Sequence, residues 1–112
     1  DQVFAENEVN NVYIHFPDPW DRPKHYKNRI VKQEFLERLY GLQQEGSFIE
    51  FKTDSRSYFL WAMKEIKKTK YKIEFETLNL HSTERSSDNF ITTFERIFIR
   101  QGIEINYVLL RK

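Results

Sequence analysis

Ser47-Phe48-Ile49-Glu50-Phe51-Lys52-Thr53-Asp54-Ser55 is the stretch from which the fold can be read. Its first six residues are rich in aromatic and β-branched types and predict a strand. Thr53-Asp54-Ser55 then supplies short polar side chains of the kind that accept a hydrogen bond from the free N–H groups at a helix start. A helix capped by Asp54 or Ser55 should follow. Tyr58, Phe59, Ala62, Met63 and Ile66 recur at helical spacing and point inward, carrying it to about residue 69. Upstream, Phe35, Leu36, Leu39 and Leu42 give an apolar stripe over residues 32–45. Gly41 weakens that helix, and Gly46 is placed to end it as a left-handed C-cap. Further upstream, Val12-Tyr13-Ile14-His15-Phe16 predicts another strand, which Pro17 stops.

Outward in the other direction, residues 71–78 alternate apolar and polar and form a third strand. Residues 17–29 and 79–91 are polar loops, the first with three prolines. Residues 92–101 fit two periods. Thr92-Thr93-Phe94-Glu95 has the Thr-x-x-Glu form of a capping box, and Gly102 follows, so a short helix is expected there. Residues 105–110 make the last strand. Helical crossovers between short apolar strands imply an α/β layer fold with a mainly parallel sheet; only a short element precedes the last strand, which leaves an antiparallel direction open to it. Residues 1–112 are expected to form one domain.

Composition limits the function classes. Hydrophobic residues at 39% and charged residues at 31% suit a folded domain, and 10 Phe, 6 Tyr and 2 Trp mean that rings fill much of the core. A net charge of +1 predicts no partner, so only the placement of charges can. Without cysteine there are no disulfides or thiolate metal sites. His15, His25 and His81 lack metal-ligand spacing, so no metal is expected. No serine has a nucleophile-elbow context. No apolar run is long enough to span a membrane, and Asp1-Gln2-Val3-Phe4-Ala5-Glu6 lacks a basic start with an apolar stretch behind it. The expectation is a cytoplasmic protein.

Open α/β sheets bind ligands outside the carboxyl ends of their strands. Asp18 comes two residues after the first predicted strand and Asp54 two residues after the second. If those strands are neighbours, both acids face one crevice. The plainer readings are a turn aspartate between prolines and a helix cap. After Trp20, the residues Arg22, Lys24, His25, Lys27 and Arg29 form a basic run with Tyr26 inside it. Cationic side chains neutralise phosphates and rings stack on unpaired bases. A solvated charged loop is the plainer reading here too. Gly41, Gly46 and Gly102 form no dinucleotide-type fingerprint, so the cofactor-binding half of a nucleotide-binding fold is expected to lie outside this chain.

Taken in order, Phe16-Pro17-Asp18-Pro19-Trp20, the basic run from Arg22 to Arg29, Phe35-Leu36, Thr53-Asp54 and Thr92–Glu95 resemble motifs in the C-terminal part of the bacterial tRNA (guanine-N7) methyltransferase family. The resemblance covers nearly everything from Val12 onward. It implies the C-terminal half of a Rossmann-like methyltransferase fold, S-adenosylmethionine as cofactor, and methylation of a guanine in the tRNA variable loop. It further implies that Asp18 is the catalytic acid and also lies near the cofactor. Arg22, Asp54, Thr92, Thr93, Phe94 and Glu95 take substrate-binding positions. Trp20, Lys24, His25, Lys27 and Arg29 are candidate tRNA contacts.

Asp21, Pro23 and Asn28 depart from a stretch that is usually more basic, and Arg22 replaces a point charge by a planar fork. Two other readings stand beside this one. Amino-group nucleic-acid methyltransferases carry Asp-Pro-Pro-aromatic at the same strand end, and Asp18-Pro19-Trp20 lacks the second proline. A non-catalytic fragment or RNA-binding module would retain the basic loop without the chemistry. Loss of the first half would also expose a sheet edge and invite self-association.

Overall fold

A computed structural model describes residues 9–80 and 102–112. Its elements are β1 (Val12–His15), a 3-10 helix (Pro23–Asn28), α1 (Gln33–Leu42), β2 (Phe48–Thr53), α2 (Arg56–Ile66), β3 (Lys72–Thr77) and β4 (Asn106–Arg111). The sheet order is β1-β2-β4-β3. β1 and β2 are parallel, and β4 runs antiparallel to both β2 and β3. Three strands therefore share one direction and the last opposes them, the alternative left open for it in the sequence. Adjacency differs from a simple parallel sheet, because β4 fills the position between β2 and β3.

The steps β1→β2 and β2→β3 move the same way across the sheet. A single handedness of crossover then puts α1 and α2 on the same face. Leu36 and Leu39 of α1 and Tyr58, Phe59, Ala62, Met63 and Ile66 of α2 share one core with Ile14, Ile49, Phe51, Val108 and Leu110. All five residues predicted to face inward from α2 are buried. The alternate strand residues Tyr107 and Leu109 pack with Leu80, Ile105, Phe16, Phe48 and Phe75 in a second cluster. β4 is thus buried on both faces, which explains its near-continuous apolar run.

Several boundaries move, each for an identifiable reason. Gly46 does not cap α1. The helix ends at Leu42, because Gln43 bridges to Val9 and is buried, its amide donating to the carbonyls of Asn10 (2.9 Å) and Phe48 (3.1 Å). Gly46 adopts φ +82° in the turn that leads into β2. α2 stops at Ile66 rather than near residue 69, where the Thr69 hydroxyl and N–H both donate to the Ile66 carbonyl. The loop 17–29 contains a 3-10 helix with Pro23 in its first turn, where a missing N–H costs nothing. The helix expected over 92–101 lies outside the described residues, although Gly102 is left-handed, at φ +73°.

Candidate functional site

β1 and β2 are adjacent and parallel, with His15 opposite Lys52. Their following loops therefore leave the same end of the sheet. The structure brings Asp18 and Asp54 to that end, both exposed. Asp54 is not the cap of α2. Ser55 holds that role, its hydroxyl accepting from the Tyr58 N–H at 3.2 Å. The capping explanation for Asp54 is thereby removed. Thr92, Thr93, Phe94 and Glu95 lie outside the described residues, as does His81.

The loop carrying Asp18 is strained. Phe16 has φ 53° and Trp20 φ 45°, the only positive values at non-glycine residues among those described. Each costs on the order of 1 kcal/mol through Cβ crowding. They flank Pro17-Asp18-Pro19, whose prolines have no N–H to donate. At its entry the Phe16 N–H donates to the Lys52 carbonyl at 2.8 Å. At its exit the Pro19 carbonyl accepts from Arg29 Nε at 2.7 Å.

The basic run divides. Arg22, Lys24 and Lys27 are exposed, and His25 is half-buried with its ring 5.5 Å from Trp20, edge to face. Trp20 itself remains 38% exposed. Arg29 corrects the sequence reading. It was expected to contact tRNA, but it is 1% exposed. Its guanidinium lies over Tyr26 at 4.0 Å, Tyr58 at 4.9 Å and Trp61 at 5.0 Å. Tyr26 therefore spends one ring face on Arg29 instead of offering it to a base. The apolar Ile30-Val31 pair after Arg29 was the one sequence sign that the chain turns inward there.

Two further groupings were missed. Lys52 is fully buried, with Nζ 3.7 Å from Glu50 Oε1, which lies 3.0 Å from His15 Nε2. The spacing of Glu50 and Lys52, two apart on one strand face, was the available signal. Beside Asp54, Arg56 Nε donates to Asn106 Oδ1 at 2.9 Å, and its Nη2 to Glu104 at 3.0 Å. Asn106 Nδ2 donates to the Thr53 carbonyl at 2.9 Å. That network joins β4 to the strand end preceding Asp54 across some fifty residues of sequence, a span that local reasoning does not cross. Among the described residues no group of three metal-ligating side chains converges, and no helix is long and apolar enough to cross a membrane.

A protein-family model described as "Putative methyltransferase" matches residues 1–108. A tRNA (guanine-N(7)-)-methyltransferase of Bdellovibrio bacteriovorus is 60% identical over all of this chain, which covers 54% of that relative. A tRNA (guanine-N(7)-)-methyltransferase of Mycoplasma pneumoniae is 32% identical over 99% of this chain and 54% of its own length. A bifunctional glycosyltransferase/methyltransferase of Fusobacterium nucleatum is 31% identical over the whole chain, covering 18% of that protein. The chain spans about half the length of the first two relatives.

Proposed function

The chain belongs to this methyltransferase family, and from that premise we propose that it carries the substrate side of a tRNA (guanine-N7) methyltransferase site. The reading rests on one observation above all. An exposed aspartate sits at the end of β1, in a loop whose flanks are held at positive φ. Local strain persists only where surrounding structure enforces it, and it concentrates at functional sites. The names of the relatives and the exposed cations Arg22, Lys24 and Lys27 support tRNA as the substrate. A tRNA substrate would place the protein in the cytoplasm.

For S-adenosylmethionine, the proposed methyl donor, Asp18 is the single candidate contact among the described residues. The three glycines lie in α1 and in two turns, and none forms a cradle for an adenosyl group. What this chain supplies is a hold on the base. Guanine N7 carries a free lone pair and no proton, so the methyl transfer needs no general base. The Asp18 carboxylate would accept hydrogen bonds from the guanine N1–H and exocyclic amine, fixing where N7 points and favouring the cationic product. Asp54, free of a capping role, would share that task. Thr92, Thr93, Phe94 and Glu95 would contact tRNA from outside the described residues, and Trp20, with its exposed ring, would stack on a base. β1 pairs only with β2 among the described residues, which leaves an edge suited to pairing with a second strand.

Asp18→Asn in the full-length protein tests this reading. The single-turnover rate of guanine methylation should fall by about 100-fold or more, as when one preorganised electrostatic contact is removed. A normal single-turnover rate would end the assignment.

A further inference from the structure

We propose that Arg29 is a positioning residue for the Asp18 loop, holding its strained backbone in the conformation that presents the carboxylate, without touching the substrate. The proposal rests on the reading of Asp18 given above and adds how that side chain is placed. Pro17 and Pro19 deprive the loop of two backbone donors, and Phe16 and Trp20 bracket it at φ 53° and 45°. Such a loop relaxes unless it is tied from outside. The tie at its entry is the Phe16 N–H on the Lys52 carbonyl, and the tie at its exit is Arg29 Nε on the Pro19 carbonyl at 2.7 Å. Asp18 lies between them.

Arg29 suits this use and no surface one. Its side chain is 1% exposed, out of reach of a phosphate. Three aromatic faces, those of Tyr26, Tyr58 and Trp61, hold the guanidinium plane. Among the described residues Nη2 has no hydrogen-bond partner, and it lies 3.8 Å from an Asp21 carboxylate oxygen. An arginine buried with one nitrogen unsatisfied is a poor choice for packing alone. Nε, by contrast, is aimed at the Pro19 carbonyl, to which no backbone N–H of the described residues donates. Tyr58 and Trp61 belong to α2, the helix that starts directly after Asp54. One helix therefore fixes both acids: its capped N-terminus follows Asp54, and its first two turns supply the rings that grip the arginine holding the Asp18 loop.

Arg29→Lys in the full-length protein keeps the charge and loses both the planar stack and the directed Nε donor. NMR relaxation should show the Asp18 and Trp20 amides losing order while Phe51 and Val108 stay unchanged. The single-turnover methylation rate should fall by about 10-fold or more with tRNA affinity held within about twofold, the signature of a misplaced group rather than a lost contact. Tyr26→Leu strips one wall of the cage and should act in the same direction, more weakly. It carries the test if the lysine variant does not fold. A loop as ordered as the original in whichever variant folds overturns the proposal. A loosened loop with an unchanged rate also overturns it when Asp18→Asn is impaired. If Asp18→Asn is silent as well, the functional reading itself falls.

Discussion

Tyr58 joins the core to the loops above it. Its ring packs 5.4 Å from Phe51, and its hydroxyl accepts from the buried N–H of Val31 at 3.1 Å. Burial pushes its phenol above the ordinary tyrosine value. Helical spacing predicts that Tyr58 faces inward, and it does. The partner of its hydroxyl was not readable, because it lies 27 residues away in a segment with no periodicity. Tyr58→Phe keeps the ring and strands the Val31 N–H, so it should destabilise the fold by about 1–3 kcal/mol in denaturant unfolding. Gln43 is a second residue of this kind. It is fully buried, accepts from the Tyr71 hydroxyl at 2.6 Å and donates to two carbonyls, joining three segments that the sequence keeps apart.

α1 and α2 begin differently. α2 is capped by its own Ser55, a local device visible in the sequence. α1 begins after Lys32, which has no side-chain cap. Its first N–H, on Gln33, donates instead to Glu65 of α2 at 3.0 Å, and Lys68 reaches the same carboxylate at 2.9 Å. Burial raises the Glu65 pKa, but the Gln33 N–H, Lys68 and the charge of Lys32 together outweigh it and hold the carboxyl below its ordinary value. A lowered folded-state value means stability that is present above the ordinary value of 4.5 and is lost as pH falls through and below it. Glu65→Gln should therefore lower the melting temperature at neutral pH. The gap from the unaltered protein should close on acidification, which melting curves across pH would reveal. The borrowed cap was unreadable in advance, since it depends on how two helices sit on one sheet face.

At the scale of the molecule, the insertion of β4 between β2 and β3 decides how the site end is built. It sets Asn106 opposite Thr53 and brings Glu104 to Arg56. The Arg56–Glu104 pair is 44% and 55% exposed, so its ionic part contributes little. The half-buried bond from Arg56 to Asn106 matters more, because Asn106 is buried and also holds the Thr53 carbonyl. Arg56→Met should destabilise the protein by about 1–2 kcal/mol in urea unfolding and leave the Asp54 loop less ordered, as amide relaxation would detect.

The sequence by itself determined the four strands, α1 and α2, the inward face of α2 and the family motifs. All of these depend on side-chain periodicity, caps and turn residues a few positions apart. Tertiary structure alone decided that β1 and β2 are neighbours, so that Asp18 and Asp54 leave the same end of the sheet. It also decided that β4 divides β2 from β3, and that Arg29 turns inward from a run of otherwise solvated cations. The reason is physical. Strand adjacency and the burial of one charge among several follow from which distant surfaces meet, and a local pattern carries no information about that.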